Sequence, residues 1–330
     1  MRSWVLVPVL VGLVCCTKDQ PKTVTATPWV DPSPHRTSFV TVAPSVRLEV
    51  LDWGGTGEPL VFLSGLGDVG HGFDDFAPQF TDHFHVFGIT RRGYGASSQP
   101  AGGYDLTTRV QDLRAVLDTL QLTRVNLVGH SIAGDELTAF AGTYPDRVAK
   151  LVYFDAAYDH TEVNHILGDY PPPPDPTAAD SASPPARQAY NERNYGVRVP
   201  ESQIRAIEVF RPDGKFERLV TPPTIDSLVI AGAGHPDYTR VKAPVLSIYA
   251  MYDSVSQLFP LWRSMNEANQ VKARRFLATF QTWSAKERGR FKRGLPRARI
   301  VELHGANHYV FFSNQADVVR EMRAFLGAGS

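Results

Sequence analysis

The chain has 330 residues, of which 43% are hydrophobic and 21% charged, and its 34 basic and 34 acidic side chains give a formal net charge of zero. This composition is typical of a packed globular protein. The balanced charge argues against a nucleic-acid partner, because binding to a polyanion requires a strongly basic surface.

The first residues resemble an export signal rather than part of a folded domain. Arg2 precedes an apolar stretch, 4–14, which is too short to span a bilayer but has the length of a signal-peptide core. Cys15 and Cys16 follow it, and the run Leu-Val-Cys-Cys at 13–16 resembles a bacterial lipoprotein box with Cys16 as the lipidated residue. We therefore expect a signal peptide with a lipobox over 1–16, a proline-rich linker over 17–37, and an exported protein that is periplasmic, membrane-anchored or secreted. The alternative is an uncleaved hydrophobic anchor.

Apolar runs and helical spacing alternate along the remaining chain. The runs predict strands at 39–42, 47–53, 60–63, 86–90, 125–128, 151–154, 245–249 and 300–303. Helical patterns occupy 108–120, 132–143 and 315–326. This alternation predicts a mostly parallel sheet with helices on both faces, and ligands of such sheets bind at the carboxyl ends of the strands.

The most informative motif is Leu-Val-Gly-His-Ser-Ile-Ala-Gly at 127–134, where a strand breaks at a serine among small residues. The pattern predicts a sharp turn from strand to helix that exposes the hydroxyl of Ser131 as a nucleophile. The glycine usual at the position of Ala133 stands one residue later, at Gly134. The alternative interpretation is an ordinary serine at a helix N-cap.

A serine nucleophile needs a base to take its proton. His308 is the preferred base, because it lies in a loop between the strand at 300–303 and the helical segment at 315–326. His304 is the competitor, although it still belongs to the end of the strand.

With the serine first and the histidine near the carboxyl end, the chain resembles the α/β-hydrolase fold. The resemblance covers about residues 38–327 and is carried by four motifs: Leu-Ser-Gly-Leu-Gly-Asp at 63–68, Thr-Arg-Arg-Gly-Tyr-Gly-Ala-Ser at 90–97, the serine motif, and Gly-Ala-Asn-His at 305–308. It implies a mostly parallel eight-stranded sheet flanked by helices, with a cap inserted between strands six and seven. The core is then 38–156 and 244–327, and the cap is 157–243.

The same resemblance assigns further site residues. The backbone N–H groups of Leu66 and Ile132 are expected to form an oxyanion hole. Asp253, in a turn after strand seven, holds the family's usual place for the acid and is preferred. Asp155, which ends strand six, is the alternative acid, as in some lactone hydrolases and haloalkane dehalogenases of this fold. Asp159 and Asp226 are weaker candidates.

Aromatic residues are frequent in the cap region and in a second, helical insert at 254–296. Those of the cap are candidates for an apolar pocket or for the cap's own core: Tyr158, Tyr170, Tyr190, Tyr195, Phe210 and Tyr238. Those of the second insert are expected to pack against the main body: Trp262, Phe276, Phe280 and Trp283.

These patterns together predict a serine hydrolase that cleaves small carboxylic esters or lactones through an acyl-enzyme, without a metal or organic cofactor. The serine argues against the dehalogenase and epoxide hydrolase branches of the fold, which use aspartate at that position. Two alternatives stay open: an amidase or aminopeptidase of the proline iminopeptidase type, and a non-catalytic small-molecule receptor on the same fold.

Overall fold

The computed structural model describes residues 29–327. These residues fall into two units, a short one that ends at Pro32 and a large one that begins at Ser33. The expected signal peptide and lipobox, 1–16, and residues 17–28 of the expected linker lie outside the described residues. Within the described part of the chain, no helix is both long enough and apolar enough to cross a bilayer.

Ten strands form within residues 29–327. They are β1 (Arg36–Ala43), β2 (Val46–Gly54), β3 (Glu58–Leu63), β4 (Phe84–Ile89), β5 (Val125–His130), β6 (Val148–Phe154), β7 (Glu208–Phe210), β8 (Phe216–Leu219), β9 (Val245–Met251) and β10 (Arg299–His304). Eight of them build the main sheet in the order β1-β2-β4-β3-β5-β6-β9-β10. Only β2 runs antiparallel to its neighbours, and the pairs from β4 through β10 are all parallel. The predicted mostly parallel eight-stranded sheet is confirmed.

Helices cover both faces of this sheet. They are α1 (Leu106–Thr119), α2 (Ala133–Thr143), α3 (Val163–Leu167), α4 (Pro184–Tyr195), α5 (Glu201–Ile207), α6 (Pro223–Ala231), α7 (Val255–Leu258), α8 (Glu267–Gly294), α9 (Val310–Ser313) and α10 (Gln315–Leu326). One apolar core joins the sheet to α1, α2 and α8, and a second joins it to α9 and α10. Two separate cores are expected when both faces of a parallel sheet are buried.

The segment between β6 and β9 carries α3 to α6 and the antiparallel hairpin of β7 and β8. Its stretch 168–183, which includes four consecutive prolines, forms neither helix nor strand, because proline lacks the N–H that both structures use. Helix α4 begins at Pro184, because the side chain of Ser183 caps it and proline suits a first helical turn. The second insert is dominated by α8, which is 28 residues long.

Candidate active site

The turn after β5 holds Ser131 in a strained conformation at the carboxyl edge of the sheet. Its backbone φ is +54°, a value that residues other than glycine rarely adopt. The N–H of Ser131 donates to the carbonyl of Phe154 at 3.1 Å, and its carbonyl accepts from the N–H of Gly134 at 2.9 Å. These bonds anchor the serine between β6 and the start of α2, and the residue lines a cavity.

Close packing at this turn explains the small residues around Ser131. A Cβ on Gly129 would lie 2.8 Å from the Cδ1 of Leu137, and one on Gly134 would lie 1.9 Å from the carbonyl oxygen of Ala156. The backbone after β6 therefore presses on α2 at position 134 rather than 133. This contact accounts for the displacement of the motif's second glycine by one residue.

His308 lies at the same edge of the sheet and pairs with Asp155. The Nδ1 of His308 and the Oδ2 of Asp155 are 2.7 Å apart, and both His308 and Ser131 line the same cavity. The side chain of Asp155 is fully buried, whereas that of His308 is 38% exposed. A carboxylate at one ring nitrogen fixes the tautomer and orientation of an imidazole.

Asp155 is itself held firmly after β6. Its N–H donates to the carbonyl of Ile248 at 2.7 Å, and its φ is +43°. Its Oδ1 accepts from the hydroxyl of Tyr158 at 2.5 Å and from the N–H of Ala250 at 3.2 Å. Burial, together with the charge of Asp155, raises the pKa of the Tyr158 hydroxyl well above its ordinary value, so this hydroxyl stays a donor.

The structure does not place Asp253 beside His308, which corrects the preference drawn from the sequence. The carboxylate oxygens of Asp253 lie 3.1 and 3.2 Å from the Nδ1 of His304. The reason is the register of the last two strands: His304 ends β10 opposite Met251, which ends β9 two residues before Asp253. His308 lies four residues further on, where the chain has turned toward Asp155.

The two weaker acid candidates also lie away from His308. Asp159 is paired with Arg290 at 2.5 Å and with His235 at 2.8 Å. Asp226 accepts from the hydroxyl of Tyr94 at 2.8 Å. These contacts give both carboxylates a partner other than His308.

The expected oxyanion donors are the backbone N–H groups of Leu66 and Ile132. Leu66 lines the cavity, and Ile132 follows Ser131 as the N-cap of α2. Among the hydrogen bonds of residues 29–327, neither amide donates to a protein acceptor. A helix N-terminus also favours negative charge.

A buried ion-pair network holds the Leu66 loop against α2. Arg91 donates to the carbonyls of Ser64 at 3.0 Å and Gly65 at 3.3 Å, and to Glu136 of α2 at 2.7 Å. Arg109 also donates to Glu136, at 3.0 Å. Although burial opposes it, the two guanidinium groups hold the pKa of Glu136 below its ordinary value. The sequence offered the arginine motif but no signal for its partner.

A second polar network, also missed from the sequence, connects this loop to the residue after His308. Asp68 accepts from the hydroxyl of Tyr309 at 3.1 Å and from the amide of Gln203 in α5 at 2.9 Å. Burial raises the pKa of Asp68 to about 6, and the Tyr309 hydroxyl and the charge of His308 oppose part of this rise.

Burial and the nearby charge of His308 lower the pKa of His130 well below its ordinary value, so the imidazole ring of His130 is neutral.

The cavity over Ser131 has a volume of about 330 Å³ and is walled mainly by apolar and aromatic side chains. They come from the segment after β6, from α8 and from the His308 loop, and they include Tyr158, Ile166, Tyr170, Tyr195, Phe276, Phe280 and Trp283. Of the described residues that line it, none is Lys, Arg, Asp or Glu. The site is suited to an uncharged, apolar group of modest size.

The aromatic residues singled out from the sequence divide between pocket and core. Tyr158, Tyr170 and Tyr195 line the cavity, whereas Tyr190, Phe210 and Tyr238 do not. In the second insert, Phe276, Phe280 and Trp283 both pack against the main body and line the cavity, and Trp262 only packs.

Known proteins resemble this chain in sequence and in structure. A family model described as alpha/beta hydrolase fold matches residues 58–206. The 2-(acetamidomethylene)succinate hydrolase of Mesorhizobium japonicum is 24% identical over 262 residues, which cover 78% of this chain and 83% of that protein. The non-heme chloroperoxidase of Streptomyces lividans is 34% identical over 120 residues, which cover 36% of this chain and 44% of that protein. Matches to haloperoxidase-type relatives span only 36% to 44% of their length.

The crystal structure of E-2-(acetamidomethylene)succinate hydrolase superposes with a TM-score of 0.67 at 19% identity, covering 89% of this chain and 99% of that one. Structural similarity at this low sequence identity supports a shared fold. It agrees with the family match and with the sheet order described above. The chain therefore has the α/β-hydrolase fold.

Proposed function

We propose that this protein is an enzyme, a serine hydrolase that cleaves carboxylic esters or lactones through an acyl-enzyme. The observation that carries the proposal is the contact at 2.7 Å between His308 and the buried Asp155, because His308 lines the same cavity as the strained Ser131. A histidine oriented by a carboxylate next to an exposed serine is the arrangement that activates a hydroxyl for acyl transfer.

In this mechanism the Oγ of Ser131 attacks the substrate carbonyl carbon while the Nε2 of His308 takes the hydroxyl proton. Asp155 stabilises the imidazolium that forms. The N–H groups of Leu66 and Ile132 bind the negative oxygen of the tetrahedral intermediate, each typically contributing about 3 kcal/mol to transition-state stabilisation. The intermediate collapses as His308 gives its proton to the leaving alkoxide, and water then releases the acyl group by the same sequence of steps.

The cavity supports an apolar, uncharged substrate. By its name, the Mesorhizobium relative acts on a succinate, which carries two carboxylates. Burying a carboxylate without a cationic partner is costly, and the described cavity wall contains no Lys or Arg. We expect neutral esters of aromatic or branched acids to be hydrolysed and dicarboxylate substrates to be rejected.

The absence of acidic residues from the described cavity wall also weighs against an aminopeptidase of the proline iminopeptidase type, whose substrate presents a free ammonium group. A non-catalytic receptor could keep the same residues, so turnover must decide between receptor and enzyme.

The test is a panel of 4-nitrophenyl esters, lactones and amino-acid amides, assayed with the wild type and with Ser131→Ala. The proposal predicts multiple-turnover hydrolysis of apolar esters or lactones that disappears in the variant. Faster turnover of amino-acid amides would favour the aminopeptidase. Binding without turnover of any member would favour the receptor.

We also propose that the protein is exported, on the evidence of its N-terminal sequence alone. Mass spectrometry of the protein from its native host is expected to show a mature N-terminus at or near Cys15 or Cys16, with a lipid adduct if Cys16 is acylated. An intact N-terminus on cytoplasmic protein would contradict this proposal.

A further inference from the structure

A second histidine–carboxylate pair faces the cavity and has no part in the mechanism above. Asp135 lies in the first turn of α2, four residues after Ser131. The Nδ1 of His160, in the segment after β6, lies 2.7 Å from the Oδ1 of Asp135. The side chain of His160 is 7% exposed and that of Asp135 is fully buried. Asp135 thus lies on the helix that follows the proposed nucleophile.

The outer ring nitrogen of His160 is directed to the cavity. His160 is one of the residues that line it, and within residues 29–327 no protein group bonds its Nε2. Three other polar groups around this cavity are already engaged: Tyr158 with Asp155, Tyr309 with Asp68, and the Asn307 amide with the carbonyl of Tyr195. The indole N–H of Trp283 also has no partner among the described residues, but it can only donate. His160 therefore offers a hydrogen-bonding atom in a largely apolar wall.

The carboxylate of Asp135 is committed to His160 through one oxygen. Its second oxygen, Oδ2, is buried and has no hydrogen-bond partner among the described residues. Asp135 also lines a second cavity of about 130 Å³, together with Thr138, His235 and Arg240. His160 is thus the one described side chain that pairs with this carboxylate, through Oδ1.

We propose that His160 is a substrate-binding residue that recognises a hydroxyl group on an otherwise apolar acyl or alcohol portion of the ester. Because Asp135 occupies Nδ1, the outer Nε2 accepts a hydrogen bond when the ring is neutral and donates one when it is charged. A hydroxyl group can pair with the nitrogen in either state. This inference deepens the proposed function and rests on it, since it concerns the specificity of the same site.

The test compares 4-nitrophenyl phenylacetate with its 2-, 3- and 4-hydroxy derivatives. The wild type is expected to favour at least one hydroxylated isomer about tenfold in kcat/KM, as one well-made hydrogen bond in a buried site allows. In His160→Phe, which keeps a ring of similar size, this ratio should fall to near one, mainly through KM. His160→Gln, which keeps a polar end, should restore part of the preference.

Two controls separate recognition from damage to the fold. His83→Phe changes an exposed histidine in the loop before β4 and should keep the wild-type ratio. Asp135→Asn frees the ring of His160, and it should lower the ratio without the loss of all ester turnover. Equal ratios in the wild type and in a folded His160→Phe protein would overturn the inference.

A binding experiment distinguishes failure of this inference from failure of the proposed function. Methyl phenylacetate and its hydroxylated derivatives are titrated calorimetrically into Ser131→Ala and into Ser131→Ala/His160→Phe. Tighter binding of one hydroxylated ester that depends on His160 supports the inference even if the wild type hydrolyses no ester. No His160-dependent preference for any of the three isomers overturns it even if ester hydrolysis is rapid.

Discussion

Two histidines that are four residues apart at the end of the sheet each pair with an aspartate, and the two pairs differ chiefly in burial. In one pair, His308 meets a fully buried Asp155 at 2.7 Å. In the other, His304 meets Asp253 at 3.1 Å, with side chains that are 65% and 56% exposed. The residue types are the same, but only the first pair opens onto the cavity that contains Ser131.

The comparison shows that solvent access, rather than residue type, separates a pair that can do chemistry from a surface contact. An exposed ion pair contributes about 0–1 kcal/mol, because water and salt screen it and both side chains lose conformational freedom. A buried carboxylate that also accepts bonds from Tyr158 and the N–H of Ala250 is fixed in place. It can therefore hold an imidazole in one tautomer and stabilise the charge that develops on it.

The largest effect is expected at Ser131, which lines the same cavity as the histidine of only one of the two pairs. Ser131→Ala should lower kcat for an apolar ester by about 10⁵ to 10⁶, because the members of a triad act as a unit. The measurement is hydrolysis of a 4-nitrophenyl ester by purified variant with an unchanged melting temperature. Retention of more than a few per cent of the activity would exclude Ser131 as the nucleophile.

Replacement of each aspartate by asparagine is the next test, because it shows which of the two pairs supports catalysis. Asp155→Asn should lower kcat by about 10⁴, because the amide favours the wrong tautomer of His308 and leaves its charge unpaired. Asp253→Asn should stay within about threefold of the wild type, since among the described residues its carboxylate pairs only with the exposed His304. Circular dichroism and thermal melts would show whether each variant is folded.

The opposite result, a folded and active Asp155→Asn with an inactive Asp253→Asn, would return the acid to its usual place after strand seven. It would require the His308 loop to move away from Asp155 during the reaction.

A smaller loss is expected when the support behind Asp155 is removed. Tyr158→Phe deletes the hydroxyl that donates to its Oδ1 at 2.5 Å, and kcat should fall about tenfold. Tyr249→Phe is the matched control, because that buried hydroxyl donates only a long bond, at 3.4 Å, to the carbonyl of Ala157. Equal losses in the two variants would show that the Tyr158 bond has no special role.

The carboxyl of Asp68, next to the loop of His308, should affect how the free energy of unfolding depends on pH. Burial raises the pKa of Asp68 from 3.8 to about 6, so the folded state favours its protonated form. Its contribution to the free energy of unfolding is therefore greatest below pH 4 and is lost as the pH rises through 6. Asp68→Asn should remove a decline on the order of 1 kcal/mol between pH 4 and 6 in urea titrations. An unchanged slope would contradict this assignment.

The smallest effect belongs to the exposed pair. His304→Asn should change the free energy of unfolding by less than about 1 kcal/mol, and 1 M salt should reduce the difference further. Denaturant titrations at low and high salt would measure it. A salt-independent loss of several kcal/mol would mean that the pair is structurally important despite its exposure.

The local sequence was sufficient to predict the strands of the main sheet and the turn at Ser131. All eight sheet strands were predicted, because each is a short apolar run bounded by polar or turn residues. The turn at Ser131 was predictable because its small neighbours reflect contacts within a few residues, such as Gly129 with Leu137. The glycine displaced to 134 could be explained only once the carbonyl of Ala156 was located.

Contacts that depend on strand register and on distant parts of the chain were not predictable. The partner of His308 depends on where β10 ends against β9 and on how far the following loop turns, which the spacing of residues does not determine. Arg91 and Glu136 are 45 residues apart, and Asp68 and Gln203 are 135 apart. Each pair joins segments whose approach is set by the packing of whole elements, so neither leaves a local pattern.

The most direct test of the central claim is the rate at which a fluorophosphonate labels the protein, followed by peptide mass spectrometry. The account predicts one adduct, on the peptide that contains Ser131, formed much more slowly in Asp155→Asn than in the wild type and at a nearly normal rate in Asp253→Asn. An adduct on another residue, or labelling of Ser131 that depends on Asp253 and not on Asp155, would contradict it.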